Sequence, residues 1–245
     1  MREYLWRSRA MVGAELDALR QATLNSPYVG GSPLQGTFAA SRGFGLTFRR
    51  DGLAHLNARF AFLQPYLELV LPPTAHRGLW SVPERLRDWV LGLAPNAFYL
   101  NLLIVPAGAA VGPHIDATLA EPSGQSDAVP RVVSVLYLQA PPTDGGGVLR
   151  LARGAETVAH LQPEAGALLH FRGDLLHEVE KVAASVGQSA STPSTRLRAS
   201  LVCEQYILGR AALERLPAFS VKSKGRFQAA LRKAAAAPPK EFELD

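Results

Sequence analysis

The sequence is poor in sulfur: its 245 residues include one cysteine and two methionines. A lone Cys203 excludes an internal disulfide framework and fits a reducing, cytoplasmic setting. Its neighbours Leu201 and Val202 mark it as a small buried hydrophobe rather than a reactive thiol. No apolar run approaches the roughly 20 residues that a membrane helix requires. The first residues, with Arg2, Glu3, Arg7 and Arg9 scattered among them, lack the apolar stretch and cleavage site of a secretory signal. Charged residues make up only 19% of the chain and hydrophobic ones 47%. That balance excludes intrinsic disorder and predicts a folded domain. The net charge of +5 comes from dispersed arginines. The one dense basic group, Lys222, Lys224, Arg226, Arg232 and Lys233, is not a basic stripe with regular aromatic interleaving, which disfavours nucleic acid as a partner. No internal repeat is found.

Taken in order, residues 11 to 25 read as an amphipathic helix with Val12, Leu16, Leu19 and Thr23 on one face. Phe44, Leu46 and Phe48 alternate with smaller residues, the period of a half-buried strand. Residues 53 to 70 are apolar at helical spacing until Pro65 interrupts them. A second helix is predicted from about Pro83 to Leu93, capped by Ser81, with Leu86, Trp89, Val90 and Leu93 as its buried stripe. From residue 98 the texture changes to short segments divided by Gly, Pro and Asp turns: 98–105, 132–138, 148–151, 167–171 and 198–203. Such spacing predicts a β-sandwich or barrel. Residues after Gly209 read as a basic helix and a low-complexity tail. The expected organisation is an N-terminal α/β cap (1–95), a β-core (96–210) and a C-terminal helix and tail (211–245), within one structural domain overall.

The chemistry concentrates in His114-Ile115-Asp116 and the later His177. On an extended segment, residues two apart share a face, so one imidazole and one carboxylate can meet a single ion. His177 must come from another strand. Two histidines and a carboxylate with open positions suit a non-haem Fe(II) centre, although a lone His-x-Asp is common by chance.

The order of motifs around these residues resembles the Fe(II)/2-oxoglutarate-dependent dioxygenases, in particular their prolyl-4-hydroxylase-like branch. Gly108 precedes His114-Ile115-Asp116. Leu136-Tyr137-Leu138 with Gly145-Gly146-Gly147-Val148-Leu149 resembles the family's Gly-rich hairpin. Gly166-Ala167-Leu168-Leu169-His170-Phe171 followed by His177-Glu178-Val179 resembles the segment of the distal histidine, and Arg198-Ala199-Ser200 resembles the strand that binds the co-substrate. The resemblance covers about residues 98 to 206. It implies a double-stranded β-helix (jelly-roll, cupin-like) core that is mainly β with flanking helices. It implies Fe(II) on His114, Asp116 and His177, with 2-oxoglutarate and O2 as co-substrates and ascorbate as a reductant. Arg198 and Ser200 would anchor the far carboxylate of 2-oxoglutarate, where a planar guanidinium binds two oxygens at once. Arg196 is the competitor of Arg198.

Two departures stand out. The stretch between His177 and Arg198 is longer than in the family, with the Ser/Thr-rich residues 183–195 read as a surface loop. No tyrosine stands just before the His-x-Asp, so Asn101 and then Tyr137 are the expected substitutes, with Tyr99 behind them. His170 is read as a strand residue. With Asp116 in place, hydroxylation is the default expectation rather than halide transfer, with desaturation and ring formation as alternatives. The substrate is expected to be an amino acid, a peptidyl side chain or a small natural product, with residues 118–131 forming a lid or a substrate-contacting loop. A non-catalytic cupin-like metal protein and a nucleic-acid-directed oxygenase are the alternatives.

Overall fold

The computed structural model describes residues 2–119, 129–184 and 196–225. Much of the expected lid, most of the loop 183–195 and the tail from residue 226 lie outside them. The described elements begin with β1 (Tyr4–Arg7), α1 (Gly13–Leu24), β2 (Gly30–Gly31), β3 (Arg42–Arg49), α2 (Leu53–Arg59), α3 (Gln64–Val70) and α4 (Val82–Val90). There follow β4 (Ala97–Pro106), β5 (Val111–His114), β6 (Val132–Gln139), β7 (Leu149–Arg153), β8 (Glu156–Leu161), β9 (Leu168–Arg172), β10 (Leu176–Val179), β11 (Leu197–Tyr206), α5 (Arg210–Arg215) and β12 (Phe219–Gly225). Two antiparallel sheets carry the fold. The larger runs β1-β9-β6-β11-β4-β3-β12-β2 and the smaller β5-β10-β7-β8. This is the mainly β jelly-roll architecture expected from the sequence.

The period of two along β11 separates two cores. Ala199, Leu201 and Cys203 face outward and pack with Phe44, Leu46, Phe48 and the residues of α1 to α3. Val202 faces inward, toward Leu103, Val105, Val133, Val135 and the smaller sheet. Pro65 stands in the first turn of α3, where a missing amide hydrogen costs nothing, so it opens a helix rather than breaking one. β3 pairs with β4 along eight positions, from Arg42↔Ile104 to Arg49↔Ala97, so the large sheet runs across the boundary drawn at residue 95.

Two expectations fail. The stripe assigned to the interior of α4 points outward: Leu86 is 57% exposed, Trp89 79% and Val90 66%. Ser81 caps the helix as expected, with a complete capping box to Glu84. However, the acidic edge is drawn toward the body, Glu84 by Arg172 at 3.4 Å and Asp88 by Arg131. Of the basic helix expected after Gly209, the described residues show one short helix, α5, followed by Pro217. The next residues form β12, in which Phe219↔Phe48 and Val221↔Leu46 pair with β3, while Lys222 and Lys224 alternate outward as exposed residues.

Beneath the large sheet lies a buried polar group. Tyr66 donates to the Ser134 carbonyl at 2.9 Å, and the Ser134 hydroxyl meets His170 Nδ1 at 2.9 Å. His76 and His170 are 4% and 0% exposed. Burial, then the nearby Arg131, lowers the pKa of His76 to about 4; burial, then His76, lowers that of His170 to about 3. Both therefore stay neutral in the folded protein at pH values where the unfolded chain protonates them. Their contribution to stability is complete above about pH 6.5 and is lost as pH falls toward the folded values. At pH 5 the loss is about 2 kcal/mol for each histidine. Urea unfolding of wild type at pH 7.5 and pH 5, compared with His170→Leu, should show roughly this much less acid sensitivity in the variant. Equal pH dependence in the two proteins would rule out the assignment.

Candidate metal centre and co-substrate pocket

His114 ends β5 and His177 lies on β10, and the two are directly paired across the small sheet. Their rings stand 4.2 Å apart between centroids. Asp116, two residues beyond His114, turns its carboxylate toward both: His114 Nε2 lies 3.6 Å from Oδ1 and His177 Nε2 3.4 Å from Oδ2. The ligand atoms all lie within 4.8 Å of one another. Each Nδ1 is held by a backbone carbonyl, His114 by Gly112 at 2.8 Å and His177 by Leu175 at 3.0 Å. A carbonyl only accepts, so each Nδ1 keeps its hydrogen and each Nε2 faces the shared centre, the arrangement in which imidazoles bind metals. Phe38 and Phe171 pack edge-on against the two rings, at 4.7 and 5.0 Å.

The charges agree with this geometry. Burial raises the Asp116 carboxyl, but His177 and His114 outweigh it and hold the pKa well below the usual carboxylate range. For His177 burial acts downward and Asp116 upward, with a net rise. A cation would take over the role that protons play between these groups. The donor set of two imidazoles and one carboxylate therefore fits Fe(II).

The same cavity is lined by Asn101 and Arg198, with Val135, Leu149 and Val202 among its apolar walls. Arg198 is 1% exposed, and its Nε and Nη1 have no hydrogen-bond partner. The Ser200 and Tyr137 hydroxyls and Asn101 Oδ1 are likewise buried without partners. Ser200 pairs with Tyr137 across β6 and with Leu103 across β4, and the Arg198 guanidinium lies 5.0 Å from the Tyr137 ring centroid. A buried guanidinium beside three unsatisfied polar groups is costly unless an anion completes it. The Gly-rich hairpin makes room for it: Gly147, at φ +73°, would bring an added Cβ to 3.4 Å from Arg198 Cδ. Arg196 precedes β11 and pairs with Asp144 at 3.3 Å, outside the cavity. His170 faces the helical layer and takes no part.

Tyr99 stands further along β4 with an unpartnered, buried hydroxyl, beneath Lys222. Glu204 is a residue that motif reading missed. Its Oε1 accepts a hydrogen bond from Thr118 at 2.9 Å and its Oε2 one from Tyr206, so it fixes the chain two residues beyond Asp116. Burial, and then the charge of Asp116, pushes its carboxyl well above the ordinary range. The period of two that links Arg198, Ser200 and Val202 reaches Glu204 as well, and would have found it.

Comparison with known proteins agrees with the site. Residues 100–198 match the family model described as the 2OG-Fe(II) oxygenase superfamily. These residues belong to that superfamily. The matched segment and its donor set are those of an Fe(II)- and 2-oxoglutarate-dependent oxygenase, with O2 as the second co-substrate. The fold is shared with a Pseudomonas putida prolyl-4-hydroxylase at 20% identity and a TM-score of 0.52, covering 85% of this chain and 95% of that one. A Trichoplax adhaerens prolyl hydroxylase, solved in complex with a hypoxia inducible factor oxygen degradation domain peptide fragment, gives 15% identity and 0.54, covering 84% of each chain. The α-ketoglutarate-dependent carbocyclase SnoK of nogalamycin biosynthesis gives 12% and 0.52, covering 91% and 92%. No curated protein matches the sequence. Among the described residues, no helix is long and apolar enough to cross a membrane.

Proposed function

We propose that the oxygenase hydroxylates a peptidyl side chain, an amino acid or a small natural product, with His114, Asp116 and His177 as iron ligands and Arg198 as the anchor of 2-oxoglutarate. Ser200 and Tyr137 add hydroxyls to that anchor, and Asn101 lines the same cavity. Loaded with Fe(II) and 2-oxoglutarate, such a site supplies the oxidising power to remove a substrate hydrogen, with release of succinate and CO2. The chain's own contribution is placement. Gly112 and Leu175 carbonyls fix the imidazole tautomers, Phe38 and Phe171 hold the rings, and apolar side chains exclude water from the co-substrate. Asp116 fills a coordination position that a halide would need, which favours hydroxylation. The substrate range spans the peptide carried by the Trichoplax protein and the natural-product chemistry of SnoK.

The observation that carries this reading is the Arg198 guanidinium, buried with Nε and Nη1 unpartnered in the same cavity as the three metal-binding side chains. Its test is anaerobic titration of the Fe(II)-loaded protein with 2-oxoglutarate. A weak visible charge-transfer band is expected for wild type and none for His114→Ala. Absence of the band in wild type, or an unchanged band in the variant, removes the proposal.

A further inference from the structure

The outward turn of α4 leaves a cavity that the oxygenase chemistry does not use. It has a volume of about 380 Å³ and lies between α4, the turn at residues 92–95 and the start of β6. That size falls within the roughly 300–1,000 Å³ of small-molecule sites. Two indoles, Trp80 and Trp89, line it. Arg131 lies over Trp80, 3.6 Å from the ring centroid, and is paired with Asp88. Arg77 and Arg85 also line it, and neither guanidinium has a hydrogen bond or ion pair among the described residues. Three guanidinium groups thus face a single carboxylate, Asp88. His76 lines the same cavity, 4% exposed, with both ring nitrogens lacking a partner.

Each feature specifies part of a ligand. Trp89 offers a flat face to an aromatic ring, whereas the Trp80 ring already carries Arg131 and Arg172 over it. Two unpaired guanidinium groups match a carboxylate and repel an amine. The unpartnered His76 nitrogens offer a polar contact at depth. The position is also informative. Pro95, Arg131 and Ile207 border the cavity where β4 and β6 begin and β11 ends. Thr118, two residues beyond the metal ligand Asp116, is tied to Glu204 near this same end of the sheet.

We propose that this cavity is a second binding site, separate from the metal centre, for an aromatic carboxylate. Its ring lies against Trp89 and its carboxylate meets Arg77 and Arg85. The site needs neither Fe(II) nor 2-oxoglutarate, so it stands or fails independently of the metal chemistry.

The probe is benzoate, titrated into metal-free full-length protein and followed by tryptophan fluorescence and by calorimetry. Benzyl alcohol and benzylamine are the uncharged and cationic controls. Saturable benzoate binding is expected, at least tenfold tighter than either control. The double variant Arg77→Ser/Arg85→Ser should weaken it at least tenfold while still binding Mn(II) and 2-oxoglutarate, which verifies its fold. Trp89→Ala should abolish most of the fluorescence response, and Arg198→Met should change nothing. The proposal is overturned if benzoate does not saturate, or if benzylamine binds equally well. It is also overturned if binding is lost in Arg198→Met but kept in the double variant, which would place benzoate in the co-substrate pocket.

Discussion

Replacing Arg198 by methionine should make the ligand-free protein more stable and at the same time destroy its response to 2-oxoglutarate. Ordinarily, truncating a side chain that is 1% exposed costs stability. Here the side chain is a cation with Nε and Nη1 unpartnered, and the nearest compensation is the Tyr137 ring at 5.0 Å. Exchanging buried charge for an apolar residue of similar length is often stabilising by about 1–4 kcal/mol. In a chain of this size that raises Tm by roughly 2 °C or more per kcal/mol. The loss in binding follows from the same guanidinium. Hydrogen bonds to charged groups contribute about 1.5–3 kcal/mol each, so losing a bidentate pair should weaken 2-oxoglutarate about a hundredfold or more. Thermal melts with Mn(II), with and without 2-oxoglutarate, read both effects. Arg196→Met, which breaks only the rim pair with Asp144, should leave both within a few tenths of a kcal/mol, as surface substitutions do. A destabilised Arg198→Met protein that still binds 2-oxoglutarate normally would remove Arg198 from the pocket.

How much of this was legible in the chain depends on what each pattern encodes. The period of two along 198–202 places Arg198 and Ser200 on one face whatever the neighbouring strands are. The runs of apolar, aromatic and β-branched residues at 98–105 and 132–138 likewise identify buried strands without knowledge of their partners. A helical stripe is weaker information. In α4 it correctly grouped Leu86, Trp89 and Val90, but it could not say which side of the helix meets the body. That was decided by Arg131, just before β6, and Arg172, at the end of β9, which draw Asp88 and Glu84 inward. The strand at 219–225 was hidden for a related reason. With two lysines and two serines its own preference for a strand is low, and it is held by pairing with β3, some 170 residues earlier. β5 and β10 are four residues each and contain the histidines themselves, so their pairing exists only in the folded sheet. The choice between Arg196 and Arg198 was likewise left to tertiary structure, because both lie on one strand face if the strand starts early.

The other large effect concerns the two buried carboxyls near the metal ligands, which the structure pushes in opposite directions. Asp116, between two imidazoles, is held ionised, whereas Glu204, capped by Thr118 and Tyr206 hydroxyls in apolar surroundings, is driven toward its protonated form. A metal ion needs an ionised carboxylate, so the opposite shifts favour the proposed ligand Asp116 and give Glu204 a tethering role. Asp116→Asn keeps the shape but removes the charge that both Nε2 atoms face. It should weaken Fe(II) binding by more than the roughly 10- to 100-fold that loss of an outer partner costs, and lower succinate formation about a thousandfold, equivalent to about 4 kcal/mol in the barrier. It should also remove a pH effect from the metal-free protein. The raised His177 contributes stability below its unfolded pKa, and this is lost as pH rises through the folded value; the depressed Asp116 contributes above its unfolded pKa, and this is lost as pH falls. The pair therefore contributes most to the stability of metal-free wild type between the two unfolded values, about pH 4 to 6.5, and the variant should lack that contribution. Glu204→Gln keeps a group able to accept from Thr118, and should hold Fe(II) within about tenfold of wild type, the lower limit for an outer partner. Metal titrations of the two variants side by side decide the matter, because equal losses would mean that both carboxyls, and not Asp116 alone, hold the ion.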